Sequence, residues 1–302
     1  MKLIKRINPK TKFFLSAFLP LMALFFIFRV FPIIKLFILS TENFYLKAMG
    51  LPSWIGFNHY VEIFHDELFL ISLKNSLVYA GFYVSIVFIG SFLIGLGLAK
   101  VGDKLRNNLI LCYISPLMTN IAAAGVLFIY FFQPQFGLFN FILSGIHLPT
   151  SKWLYDPKTA LFSVAIMDIW RNIGFFTVLF LAGMLHIPRV FLEAAEADGA
   201  GLWKKYWYVV IPLLKPTLLL VVVMCTINAM KVFGPIYVMT NTSWSGVGGP
   251  VNSTYVLSVY IYNSAFRFSR FGFGSAISVV FLMIAGVFIY LQMRFMRTTW
   301  EY

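Results

Sequence analysis

Charge is scarce in this chain of 302 residues: only 12% of positions are Asp, Glu, Lys or Arg, and just eleven are acidic. Soluble globular domains carry about 25%, so a soluble fold is excluded. Cysteine is scarcer still, and both copies, Cys112 and Cys225, fall inside apolar stretches. That excludes a disulfide framework and leaves them as small packing residues. Histidine occurs four times, at His59, His65, His147 and His186, with no metal-ligand spacing, so no metal site is expected. No nucleophile stands beside a plausible base, and no catalytic residue or independent enzyme activity is expected. The chain also lacks any Gly-Lys dipeptide, which excludes a phosphate-cradling loop of its own.

What is abundant is oil: hydrophobic residues make up 60% of the sequence, and the mean hydropathy is +0.83. That composition predicts an all-α polytopic membrane protein. A bilayer core of about 30 Å needs roughly 20 apolar helical residues. Six stretches qualify, at residues 13–34, 77–99, 109–132, 160–184, 217–238 and 273–295. They form one membrane domain over residues 1–302. The net charge of +13 does not point to nucleic acid, because the basic residues cluster at the ends of apolar stretches. With the N-terminus inside, inner segments hold fourteen Lys and Arg and outer segments six; Arg29, Lys35, Arg171 and Lys231 lie within or beside spans. The positive-inside rule then places both termini in the cytoplasm. The first apolar run is too long for a cleaved signal peptide and has no small-residue cleavage site after it.

Between the first two spans, Val61, Phe64, Leu68 and Ile71 recur at helical spacing and predict a short amphipathic helix on the outer surface. Lys100 to Asn108 is short and basic, so spans two and three should be antiparallel neighbours in a tight hairpin. Span three contains Pro116 and stops at the proline and glycine of 132–137. Ser91 and Gly95 in span two are spaced as a helix-packing surface. No soluble domain is inserted, and the glycine-rich outer loop at 240–250 cannot cross lipid.

One run breaks the oily pattern. Residues 193–201, Glu-Ala-Ala-Glu-Ala-Asp-Gly-Ala-Gly, hold three of the eleven acids. High alanine propensity and Pro188 near the first turn predict a helix over 189–197 that Gly199 and Gly201 stop. A second piece, 202–210, should lead to Pro212. Alanines leave a narrow face able to enter a groove, with Glu193 and Glu196 at its edge to meet basic groups. An ordinary interfacial loop is the alternative.

The spacing Glu-Ala-Ala, three residues, Gly199, nine residues, then Val209-Val210-Ile211-Pro212 resembles the signature loop of binding-protein-dependent ABC importer permeases. Leu181 to Pro188, Phe136 to Asn140, Gly56 to Tyr60, Gly249 to Thr254, Tyr260 to Tyr262 and Ala265-Phe266 are similar to the carbohydrate branch of that family, the maltose and glycerol-phosphate type. The outer loop before Gly249 is longer than the family pattern. The resemblance implies a type I importer permease in the bacterial cytoplasmic membrane, with residues 185–216 as the cytoplasmic coupling loop. It implies that Glu193, Ala194, Ala195, Asp198 and Gly199 dock an ATPase. It further implies a second permease subunit in a heteromeric pair, two ATPase subunits that bind the ATP and magnesium this chain does not, and an extracytoplasmic solute-binding protein.

Ionisable groups at membrane depth are costly and face the interior or a water-filled path. Asp168, Arg171 and Asn172 lie together in span four, and Asn228 and Lys231 lie in the outer half of span five. Asp168 and Lys231 fall at similar depths and could meet across the bundle. Two readings stand open: a structural ion pair, or a solute path lined by Asp168, Trp170, Asn172, Asn228 and Lys231. Among functions, an ion-driven secondary transporter, a membrane scaffold and an amino-acid or osmolyte importer are the rivals.

Overall fold

The computed structural model describes residues 9–45, 52–241 and 248–295. The basic residues Lys2, Lys5, Arg6, Lys47 and Arg297, and most of the 240–250 loop, lie outside them. The described residues form helices joined by turns and loops, with one two-strand ladder and one isolated bridge between Tyr45 and Arg270. It divides into two compact units: residues up to His65 with Ile261–Phe281, and Asp66–Tyr260 with residues from Leu282 onward. Among the described residues, five helices are long and apolar enough to span a membrane, or six if one sharply bent pair counts as a single span.

The first unit opens with α1 (Pro9–Phe25), a π turn (Phe26–Val30) and α2 (Phe31–Leu39) in one continuous helical run. The span expected at 13–34 therefore extends further, to Leu39. Pro32 lacks the amide that an α-helix requires one turn in, and the π turn just before it relaxes the ladder. None of the described side chains from Phe18 to Leu39 is buried, as suits a helix solvated by lipid. Below it, β1 (Glu42–Asn43) pairs antiparallel with β2 (Ser53–Trp54). Next comes α3 (Asn58–His65). His59 is buried, with Nε2 3.2 Å from the Glu42 carbonyl. Arg270 grips Glu62 through both carboxylate oxygens at 2.7 and 2.8 Å and lies 4.2 Å over the Phe273 ring. Burial pushes the Arg270 guanidinium down, but Glu62 and Tyr45 outweigh it and hold it above its ordinary value. At Gly272 a Cβ would fall 2.0 Å from the Glu42 carbonyl oxygen, so only glycine admits this approach.

The amphipathic helix expected over Val61–Ile71 is a correction. Asp66 caps a new helix, accepting from the Leu68 amide at 2.9 Å, and α3 stops before it. Val61 and Phe64 are exposed while His59 and Ile63 are buried: in a membrane protein the apolar stripe can be the outside.

The second unit is organised around α4 (Glu67–Lys100), which starts ten residues before the expected 77 and runs for 34 residues. Its buried residues are Phe69, Ser72, Ser76, Tyr79, Tyr83, Val87, Ser91, Gly95 and Leu98, with serine and tyrosine hydroxyls set among apolar side chains. The helix packs chiefly along α8 (Ala160–Leu185) and then α12 (Lys215–Met230). Gly95 belongs to the contact as expected, since a Cβ there would meet Phe180 Cβ at 3.3 Å. At the head of α4, Asn75 donates to the carbonyls of Asn252 and Tyr255 at 2.9 and 3.1 Å, and Ser76 accepts from the Leu257 amide at 2.8 Å. Tyr260 also donates to Asp66.

After a two-residue link, the third expected span is broken. α5 (Asp103–Ile114) and a 3₁₀ turn (Ser115–Met118) meet α6 (Ile121–Phe131) at 94°. Pro116 ends the first ladder, and Asn120 restarts the second by accepting from the Ala122 amide at 2.8 Å. Nor are α4 and α5 close partners; α5 leans mainly on α8. The following α7 (Leu138–Gly145) carries Asn140, which donates to the Pro134 and Ser151 carbonyls at 2.9 Å each. Asn140 Oδ1 accepts from the Ser151 amide at 3.1 Å and the Trp153 indole at 2.8 Å. This knot holds Trp153 at φ +46, a region that favours glycine. Asn140→Ala should lower stability by about 3 kcal/mol, since four bonds vanish and an indole is orphaned; a thermal-unfolding shift of the purified complex checks it.

The remaining elements are α9 (Arg189–Ala197), α10 (Leu202–Lys205), a π turn (Tyr206–Val210), α11 (Ile211–Leu213), α12, α13 (Gly234–Thr240), α14 (Leu257–Tyr262) and α15 (Phe271–Phe295). The fifth expected span lies within one apolar helical stretch, Lys215–Thr240, with a short break at 231–233 where Lys231 caps α12. The fourth and sixth match their helices to within two residues. Both cysteines are free thiols; Cys225 is a buried packing residue as expected, whereas Cys112 is exposed.

Candidate coupling loop and solute path

Residues between α8 and α12 build a compact knob in the second unit. α9 has the predicted bounds, with Pro188 as its N-cap rather than in its first turn. Gly199 ends it at φ +74. The Ala200 amide returns to the Ala195 carbonyl at 2.9 Å and the Gly199 amide to Glu196 at 3.0 Å, which satisfies carbonyls the helix leaves open. Of the three alanines only Ala195 turns inward; Ala194, Ala197, Glu193 and Val190 are exposed. Those four recur at i, i+3, i+4 and i+7, one face of the helix. Asp198 and Gly199 are exposed beside it.

Two expectations change here. Glu196 is not free for a partner, because Lys205 already pairs with it inside the knob. The second helical piece does not end before Pro212; it continues to Leu213 through the π turn, where the Ile211 amide bonds five residues back to Tyr206. The turn absorbs the amide that Pro212 lacks. It also places the Tyr206 ring 5.4 Å from Lys100 Nζ at the foot of α4. Trp203 and Trp207 lie 5.8 Å apart and are exposed.

Deep in the bundle, Asp168 is 6% exposed. One carboxylate oxygen accepts from the Tyr79 hydroxyl at 2.9 Å, and the other accepts from the Asn172 amide at 2.8 Å. No ion pair joins Asp168 to Lys231, which is exposed at the end of α12. The expected meeting across the bundle is thus corrected: α4 supplies a phenol, and a hydrogen bond replaces the ion pair. Tyr79 was visible in the sequence as a hydroxyl inside an apolar span, spaced four from Tyr83. Arg171 leans toward the break in the third span, its Nε 3.5 Å from the Thr119 carbonyl. Trp170 lies 5.2 Å from the Phe128 ring of α6, while Asn228 is half-buried on α12. The structure brings Asp168 and Asn172 together and leaves Trp170 against Phe128, Asn228 half-buried and Lys231 exposed. Among the described residues no cluster of three His, Cys, Asp or Glu could hold a metal.

Residues 91–297 match the family described as binding-protein-dependent transport system inner membrane component. The sulfoquinovosyl glycerol transport permease SmoG of Agrobacterium fabrum is 30% identical over 89% of this chain and 85% of its own length. The lactose transport permease LacF of Rhizobium radiobacter is 30% identical over 90% of each chain. A bacterial ABC transporter chain involved in import of the acidic polysaccharide alginate superposes with a TM-score of 0.80 at 25% identity, covering 97% of this chain and 98% of its own. The knob and the helices that carry it both fall inside the matched region, and the chain belongs to the binding-protein-dependent inner membrane components, the non-catalytic permease subunits of ABC importers.

Proposed function

We propose that this subunit carries a carbohydrate, meaning a sugar, an oligosaccharide or a sugar derivative. The observation behind this is that relatives aligned over nearly the whole chain are named for lactose and for sulfoquinovosyl glycerol. The solute is delivered by an extracytoplasmic binding protein to a path shared with a second permease subunit. Two ATPase subunits hold ATP and magnesium and press on the exposed face of α9 from the cytoplasm. Glu193, Ala194 and the Gly199 turn receive that force, and rigid-body rocking of the helices alternates access. Along the path, Trp170 offers a ring face to sugar carbons and Asn228 offers its amide to hydroxyls, while Asn172, whose NH2 is held by Asp168, offers its carbonyl oxygen; Lys231 stands at the end of α12.

ATP hydrolysis by the purified complex, stimulated by binding protein loaded with different solutes, tests the reading. Carbohydrate-loaded protein should stimulate; stimulation only by amino-acid-loaded protein sinks it. Asn228→Ala should raise the transport KM roughly five- to tenfold, the worth of one lost hydrogen bond, with basal ATP hydrolysis measured alongside. An unchanged KM removes Asn228 from the path.

A further inference from the structure

Between the end of α8, the start of α9 and the α11–α12 segment lies a cavity of about 730 Å³, within the roughly 300–1,000 Å³ range of ligand sites. Leu179, Ala182, Ile187, Phe191, Leu213 and Leu220 give it an apolar lining. At Gly183, a Cβ would fall 2.5 Å from Thr217 Oγ1, so α8 and α12 are in close contact on one side of this space.

Two cations stand next in sequence to residues of the lining. Arg189 follows Pro188 and Lys215 precedes Pro216, and both prolines line it. Arg189 and Lys215 are exposed, and neither has an ion-pair partner among the described residues. Among the described residues none of the loop's acids forms an ion pair with either. Glu196 is taken by Lys205, while Glu193 and Asp198 are exposed. Next to the cavity in the chain, Trp203, Trp207 and Tyr208 are 75%, 52% and 79% exposed, the residue types that sit at headgroup level.

We propose that this cavity is a site for an anionic phospholipid, with an acyl chain in the apolar space and the phosphate held by Arg189 and Lys215. A partner peptide fits less well. Its backbone would need hydrogen-bond partners, and the lining offers little beyond Thr217 and His186, whose Nδ1 already lies 2.8 Å from the Ala182 carbonyl. The lipid would brace the junction between the coupling loop and α12, the segment through which force reaches the bundle.

Native mass spectrometry of the assembled transporter, titrated with phosphatidylglycerol or phosphatidylcholine of identical chains, tests this. Wild type should retain phosphatidylglycerol in preference. Lys215→Gln should weaken that retention about fivefold, and adding Arg189→Gln about fivefold again. Ala182→Phe, which fills the cavity and leaves the charges in place, should abolish it. Equal retention of the two lipids, or retention unchanged in the charge variants or in the filled variant, overturns the proposal. So does cross-linking of an Ala182→Cys variant to a partner subunit, which would place protein in the cavity.

Discussion

Replacing Gly199 by valine is expected to uncouple ATP hydrolysis from transport. The backbone there sits at φ +74, and a Cβ would meet nothing within 4 Å, so any effect comes from conformation rather than crowding. A β-branched residue in the left-handed region costs about 1–2 kcal/mol. The cap of α9 then opens, and Glu193 loses its fixed bearing on α10. Solute-stimulated hydrolysis should fall roughly tenfold, the equivalent of about 1.4 kcal/mol. Gly199→Asn, which tolerates the same backbone region, should retain most of it. Coupling at the wild-type level in the valine variant would show that the turn carries no force.

Gly174→Leu should prevent assembly of a stable subunit. A Cβ at Gly174 would lie 1.8 Å from the Tyr113 carbonyl oxygen and 2.4 Å from its carbon. Backbone cannot rotate aside as a side chain can, so α5 and α8 must separate along their contact. Overpacking of this kind costs about 3 kcal/mol or more. The comparison is Gly97→Leu on exposed α4 surface, with nothing within 4 Å, where a change within about 0.5 kcal/mol is expected. Gel filtration and thermal unfolding of the two variants separate them. A Gly174→Leu protein as stable as the Gly97 variant would mean that the contact of α5 with α8 is dispensable.

Local signals were legible in the sequence where they were decided locally. Alanine propensity and the glycine stop gave α9 its bounds, and the apolar length gave α8. The break in the third span was only half visible. Pro116 marks where a ladder fails, but the 94° turn depends on α5 resting against Gly174, a contact between distant residues. The stripe from Val61 to Ile71 reads as one helix because apolar periodicity carries across Asp66, whose capping of α4 splits it in two. At Asp168 the chemistry was right and the partner wrong. Charge suggested Lys231, whereas the buried face of α4 placed Tyr79 beside the carboxylate. Lys205 as the partner of Glu196 depended on how α10 folds back, which spacing alone does not fix.

The length of α4 has a mechanical meaning. Its 34 residues extend about 51 Å at 1.5 Å per residue, well beyond the hydrocarbon thickness. Asn75 and Asp66 fasten its head to residues 252–260, and Lys100 at its foot meets Tyr206 of the knob between α8 and α12. A rod held at both ends ties them together: tilting it by about 5° about its foot would carry its head, and residues 252–260 with it, about 4 Å.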